Sequence, residues 1–105
     1  MDKKYELTGN TKEVDGHILH QIKALKSFDG VRKGDLGGWI EDYSNLAQTD
    51  TSWVYDDAMV YENAKVYDDA KVRDSSQIYG DVEVVNSVLV LVTFVLEVQV
   101  YSSNG

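Results

Sequence analysis

The chain has 105 residues, which allows one domain with a core of modest size. It contains no cysteine and no proline, so disulfides, thiolate metal sites and cysteine nucleophiles are excluded, and an intracellular, cytoplasmic setting is expected. The formal charge of −8 is uneven: up to Trp53 there are 7 Lys/Arg against 9 Asp/Glu, and from Val54 onward 3 against 9, so the second half should repel a phosphate backbone and direct nucleic-acid binding is not expected.

The amino-terminal stretch MDKKYELTGN has no apolar run behind its lysines and does not read as a secretory signal. The longest apolar run, Val88 to Val92, falls far short of the roughly 20 residues that a membrane helix needs, so no membrane partner is expected.

The first predicted element is a β-hairpin, YELTGNTKEV and HILHQIKAL joined by Asp15-Gly16, a strong two-residue turn signal. The loop SFDGVRKGDLGGWIED follows, with Gly30, Gly34, Gly37 and Gly38 marking tight bends and Trp39-Ile40 packing over what comes next. Residues 1–43 are therefore expected to cap the remainder, 44–101, leaving 102–105 as a tail. His17 and His20 both fall in the hairpin, on opposite strand faces.

From Val54 the chain repeats every six residues. One column holds Val54, Val60, Val66, Val72, Ile78, Val84, Val90 and Leu96; another holds Ala58, Ala64, Ala70, Ser76, Val82, Val88 and Phe94. All are even-numbered, so short straight segments would turn them to one small or apolar face. Between them stand turn-forming pairs: Asp56-Asp57, Glu62-Asn63, Asp68-Asp69, Asp74-Ser75, Gly80-Asp81 and Asn86-Ser87. Short strands joined by two-residue corners at a fixed period of six predict an all-β fold. It is a parallel β-helix of about 2.5 coils of 18 residues, with strands one coil apart spaced by about 4.8 Å. The competing reading is an antiparallel sheet of short hairpins.

Coil stacking predicts three outward rows. They are Trp53, Tyr55, Lys71, Arg73, Leu89 and Leu91; then Met59, Tyr61, Gln77, Tyr79, Val95 and Glu97; then Lys65, Tyr67, Glu83, Val85 and Tyr101. Outward tyrosines beside acidic corners suit protein recognition, which nominates Trp53, Tyr55, Tyr61, Tyr67 and Tyr79 with Asp56, Asp57, Asp68 and Asp69. Tyrosine is also a good strand former, and the corner acids read as solvated turn residues in preference to carboxylate ladders one coil apart, such as Asp56 above Asp74, that would bind Ca²⁺.

Beyond Val88 the corner residues disappear while the alternation continues, which predicts one long carboxy-terminal strand. Both of its faces are apolar, so a second copy of the chain is expected to cover Val88, Leu89, Val90, Leu91, Val92, Phe94, Val95 and Leu96, giving a homo-oligomer. The alternative is an imperfect last coil.

The runs KYELTGNTKEVDGHILHQIKALKSF, VRKGDLGGWIED and NLAQTDTSWVYDDAMVYENAKVYDDAKV resemble bacterial and phage or prophage proteins of the hexapeptide-repeat group, commonly labelled transferases. The resemblance covers about residues 4 to 81 and implies a left-handed coil related in fold to trimeric acyltransferases. Those enzymes use a histidine base on a coil, and none stands in the hexads here; nor are there three histidines for a zinc site. No catalytic residue, metal or cofactor is therefore expected. The reading is a non-enzymatic binding module. If the chain is phage-encoded, that module would inhibit a host nucleic-acid enzyme or defence system through its acidic face. An acyltransferase-like enzyme and a self-assembling structural unit are the alternatives.

Overall fold

The computed structural model describes residues 3–85 and the backbone of two later strands, 89–90 and 94–96. The described fold is all-β, with no α-helix among those residues. Eleven strands run in chain order: β1 Tyr5–Val14, β2 His17–Ala24, β3 Leu36–Ile40, β4 Trp53–Val54, β5 Met59–Val60, β6 Lys65–Val66, β7 Lys71–Val72, β8 Gln77–Tyr79, β9 Glu83–Val84, β10 Leu89–Val90 and β11 Phe94–Leu96. A single 3-10 turn, Tyr43–Asn45, separates β3 from β4.

The hairpin forms as its turn residues dictate. Asp15 and Gly16 both take positive φ, 50° and 84°, the backbone twist that matches two antiparallel strands. β1 and β2 pair from Val14 opposite His17 back to Tyr5 opposite Ala24, with one irregularity between Leu7 and Thr11. β2 then pairs antiparallel with β3.

After β3 every strand pairing is parallel. β4 faces β7 with Trp53 opposite Lys71, β5 faces β8 with Met59 opposite Gln77, and β6 faces β9 with Lys65 opposite Glu83, so each partner lies eighteen residues on. The backbone bonds follow one rule: the N–H of Trp53 donates to the carbonyl of Ala70, Tyr55 to Val72, Met59 to Ser76, Tyr61 to Ile78, Lys65 to Val82 and Tyr67 to Val84. The chain thus winds with a period of eighteen, and consecutive strands fall in three different sheets. The first winding is longer, since Trp39 pairs with Met59 and Leu46 bridges to Val66. An antiparallel sheet of short hairpins is excluded.

The corners explain the period. Asp56, Glu62, Asp68, Asp74 and Gly80 have φ of 57°, 59°, 62°, 60° and 81°, a left-handed conformation recurring every six residues. Each of the first four corners is closed by a bond from the residue after the pair back to the one before, as from Ala58 N–H to the Tyr55 carbonyl. Asp is among the residues that tolerate this region best; Glu62 is the exception.

The even-numbered columns point inward as the alternation requires. Val54, Val60, Val66, Val72, Ile78 and Val84, with Ala58, Ala64, Ala70 and Val82, are buried, and Leu46 and Ser52 extend the second column backward. Val and Ala in alternating columns fill a narrow interior at close packing.

Gly37 and Gly38 are not bends. They lie within β3, where an added Cβ would come within 2.7 Å of the Val54 carbonyl oxygen at Gly37 and 2.6 Å of the Ala58 carbonyl oxygen at Gly38. Two side-chain-free residues let β3 approach the backbone of residues 54–58 closely, and β3 joins the antiparallel hairpin to the parallel stack in one six-stranded sheet.

The single long carboxy-terminal strand is also corrected. β10 pairs with β7 in one sheet and β11 with β8 in another, so the segment goes on winding instead of running straight. The pull is the open edge of β7 and β8, whose unpaired backbone groups a further winding satisfies. The register shortens there, with Phe94 opposite Gln77 and Leu96 opposite Tyr79, seventeen residues apart. Of the residues nominated for contact between copies, Val88, Leu91 and Val92 lie outside the described residues. Leu89, Val90, Phe94, Val95 and Leu96 are described by their backbone only.

Candidate functional site

The outward aromatic residues do not form one continuous face, because the amino-terminal segment lies over two of the three rows. On the β4/β7 row, Trp53 is 1% exposed. Phe28 meets it edge-on at 5.3 Å and Tyr5 at 6.1 Å. Asp29, from the same loop as Phe28, holds Lys71 Nζ at 2.9 Å, and the Lys71 ammonium beside it keeps the Asp29 carboxyl below its ordinary range. Tyr55 is half-buried under the Arg73 guanidinium, 3.8 Å above its ring.

On the β5/β8 row, Tyr61 is also 1% exposed. The His17 ring covers it at 5.3 Å, and Tyr79 stacks on it at 5.1 Å with the rings 8° from parallel. Burial pushes the Tyr61 hydroxyl up to about 12, and the hydroxyl has no hydrogen-bond partner. Trp53 and Tyr61 are thus part of the seam between the amino-terminal segment and the windings, not of an open face. Strand alternation correctly turned both outward from the coil, but the hairpin and loop then cover them.

The β6/β9 row is the most open of the three. Lys65 and Glu83 are exposed, and Tyr67 is half-buried with its hydroxyl donating to Glu83 Oε1 at 2.9 Å, a bond that raises the Tyr67 pKa.

The acidic corners divide by position. The first residue of a corner uses its carboxylate as a brace for the corner eighteen residues on: Asp50 Oδ2 accepts from Asp68 N–H at 2.5 Å, Asp56 Oδ2 from Asp74 N–H at 3.3 Å, and Glu62 Oε1 from Gly80 N–H at 2.8 Å. Such charge-assisted bonds satisfy backbone donors that the turn leaves without a partner. The second residues, Asp57 and Asp69, are exposed, as are Asp56 and Asp68.

Three groups outside the nominated residues complete the picture. Asp50 stands six residues before Asp56, so the corner spacing extended one step backward points to it. Lys4 has no such signal. It is fully buried, with Nζ donating to the Ser52 carbonyl at 2.6 Å, to Ser52 Oγ at 3.2 Å and to Asp50 Oδ1 at 3.1 Å. Burial lowers its pKa to about 8, against the pull of Asp50. His17 bridges Glu41 and Glu62, at 2.9 Å through Nδ1 and 3.2 Å through Nε2.

With both ring nitrogens facing carboxylates, His17 is not poised as a general base. Among the described residues no group of three or more His, Asp and Glu side chains is placed to hold a metal ion, and no helix is long and apolar enough to cross a membrane.

No protein-family model matches the chain. It is similar to the uncharacterized acetyltransferase YdcK of Escherichia coli (strain K12), at 40% identity over 52 residues. The match takes in 50% of this chain and 15% of that protein.

Proposed function

We propose that the chain is a short left-handed parallel β-helix of hexapeptide repeats that acts as a non-enzymatic binding module for a basic protein surface. The carrying observation is how its polar groups are used. His17 faces two carboxylates, and the braces of Asp50, Asp56 and Glu62 are tied to backbone amides. Exposed or half-buried beside them are Tyr67, with Lys65 and Glu83, on the open row, Tyr55 and Tyr79 at the margins of the covered rows, and Asp57, Asp68 and Asp69 at the corners. Rigid tyrosines supply contact area at low entropic cost, and the negative charge of the second half steers toward cationic partners. A basic groove that normally holds nucleic acid is the partner class this charge fits best.

The left hand is supported by the resemblance of the GDLGGWIE and WVYDDA segments to hexapeptide-repeat proteins. The similarity to an acetyltransferase favours a second reading, in which the windings are part of an acyl-transfer enzyme. One pair of measurements separates them. Replacing Tyr55, Tyr67 and Tyr79 by alanine, with the fold retained by circular dichroism, should abolish capture of a host protein, and equilibrium dialysis against acetyl-CoA should show no uptake. Unchanged capture contradicts the binding reading; saturable acetyl-CoA uptake establishes the second.

A further inference from the structure

His17 touches three parts of the fold at once. It opens β2 just past the hairpin turn, its Nδ1 faces Glu41 Oε2 beyond the end of β3, and its Nε2 faces Glu62 Oε2 at the corner after β5. Both glutamates are anchored by their other oxygens, since Glu41 Oε1 accepts Glu62 N–H at 2.8 Å and Glu62 Oε1 accepts Gly80 N–H at 2.8 Å. Neither carboxylate can turn away without giving up a backbone bond.

We infer that His17 is a proton-operated clasp fastening the amino-terminal hairpin to the windings, with Tyr61 and Tyr79 as the aromatic surface it covers. The doubly protonated ring donates to both glutamates together. A neutral ring has one N–H, so it turns a lone pair toward the other carboxylate and exchanges a charge-assisted bond for repulsion. The charged groups near the ring are all acids, Glu41 and Glu62 in contact and Asp15 two residues back in the turn; Tyr61 beneath it, with Tyr79 stacked beyond, stays neutral in this range. Glu41 and Glu62 each favour the cation against the opposing effect of desolvation, and the Glu41 hydrogen bond is the largest cause of the raised His17 pKa. The contribution is therefore fully present below the ordinary imidazole range and is lost as pH rises through the raised value. Loss of the clasp frees the hairpin end and uncovers Tyr61, whose hydroxyl is unpartnered in the closed form.

The test is a titration of the wild-type protein by imidazole nitrogen NMR between about pH 5 and about pH 9. The clasp requires His17 to titrate above the ordinary imidazole value, with the Gly80 amide and Tyr61 ring signals moving at the same midpoint, and E41Q to lower that midpoint. A midpoint at or below the ordinary value, or Gly80 and Tyr61 signals that ignore it, overturns the clasp. Thermal unfolding adds a second readout. From about pH 6 to about pH 8.5, wild type and H20Q should lose stability relative to H17Q, and parallel profiles for wild type and H17Q would also overturn it.

Discussion

The carboxylate of Asp50 braces the N–H of Asp68, eighteen residues on, with one oxygen, while its other oxygen accepts from Lys4 Nζ at 3.1 Å and Ser52 Oγ at 2.6 Å. One side chain therefore joins a corner, the next winding and the first residues of the cap. D50A removes the brace and leaves the buried Lys4 ammonium without its counter-charge, and should destabilise by about 3 kcal/mol in urea unfolding. D57N, at an exposed corner position, should stay within about 0.5 kcal/mol of wild type.

Lys4 sets the alkaline behaviour. Its folded pKa of about 8 lies below the ordinary 10.5, so between those values the unfolded chain binds more protons and this group makes stability rise with pH. The tyrosines act in the opposite sense only near and above pH 10, since Tyr5 and Tyr61 are raised from that value. The stability difference between wild type and K4M should therefore shift in favour of wild type between pH 8 and pH 10, as read by urea unfolding at several pH values.

The cap seam predicts a fluorescence change. Phe28 lies edge-on to Trp53 at 5.3 Å, and Lys4 Nζ stands over the Phe28 ring at the same distance. In a W39F background, F28A should red-shift Trp53 emission as water reaches the indole and should cost about 2 kcal/mol, below the range for a fully buried phenylalanine because Phe28 is only half-buried.

Gly37 and Gly38 should resist any side chain. At each the nearest obstacle includes a backbone carbonyl oxygen, at 2.7 Å and 2.6 Å, which cannot rotate aside. G37A or G38A should each cost about 2 kcal/mol or more, whereas G9A, with open space around it, should be close to neutral. Thermal denaturation of the three variants checks the order.

Most of the winding could be read from the letters because a corner needs a residue that tolerates positive φ, and Asp56, Asp68, Asp74 and Gly80 advertise that need at fixed spacing, with Glu62 the exception. Val and Ala likewise announce an inward column by alternation. The hairpin was legible for the same reason, through Asp15-Gly16. Burial of Trp53 and Tyr61 was not, since alternation tells which way a side chain leaves its own strand and nothing about what a distant loop lays over it. The His17 clasp and the Lys4 anchor bring together residues 24 to 48 positions apart, and no local spacing encodes such meetings. The carboxy-terminal segment failed in the other direction: without corner residues it looked straight, yet pairing with β7 and β8 still winds it.

The central claim is the eighteen-residue winding, and a chain with no native cysteine allows a direct test. Lys65 and Glu83 stand opposite one another on β6 and β9, with both side chains exposed. Neighbouring parallel strands bring Cα atoms within disulfide reach, about 5 Å apart. Oxidation of K65C/E83C under native conditions should give a near-complete intramolecular disulfide that fails to form in urea, whereas K65C/Q77C, twelve residues apart and in different sheets, should stay reduced. Equal oxidation of the two pairs, or preference for the twelve-residue pair, would contradict the winding and with it the placement of every outward residue.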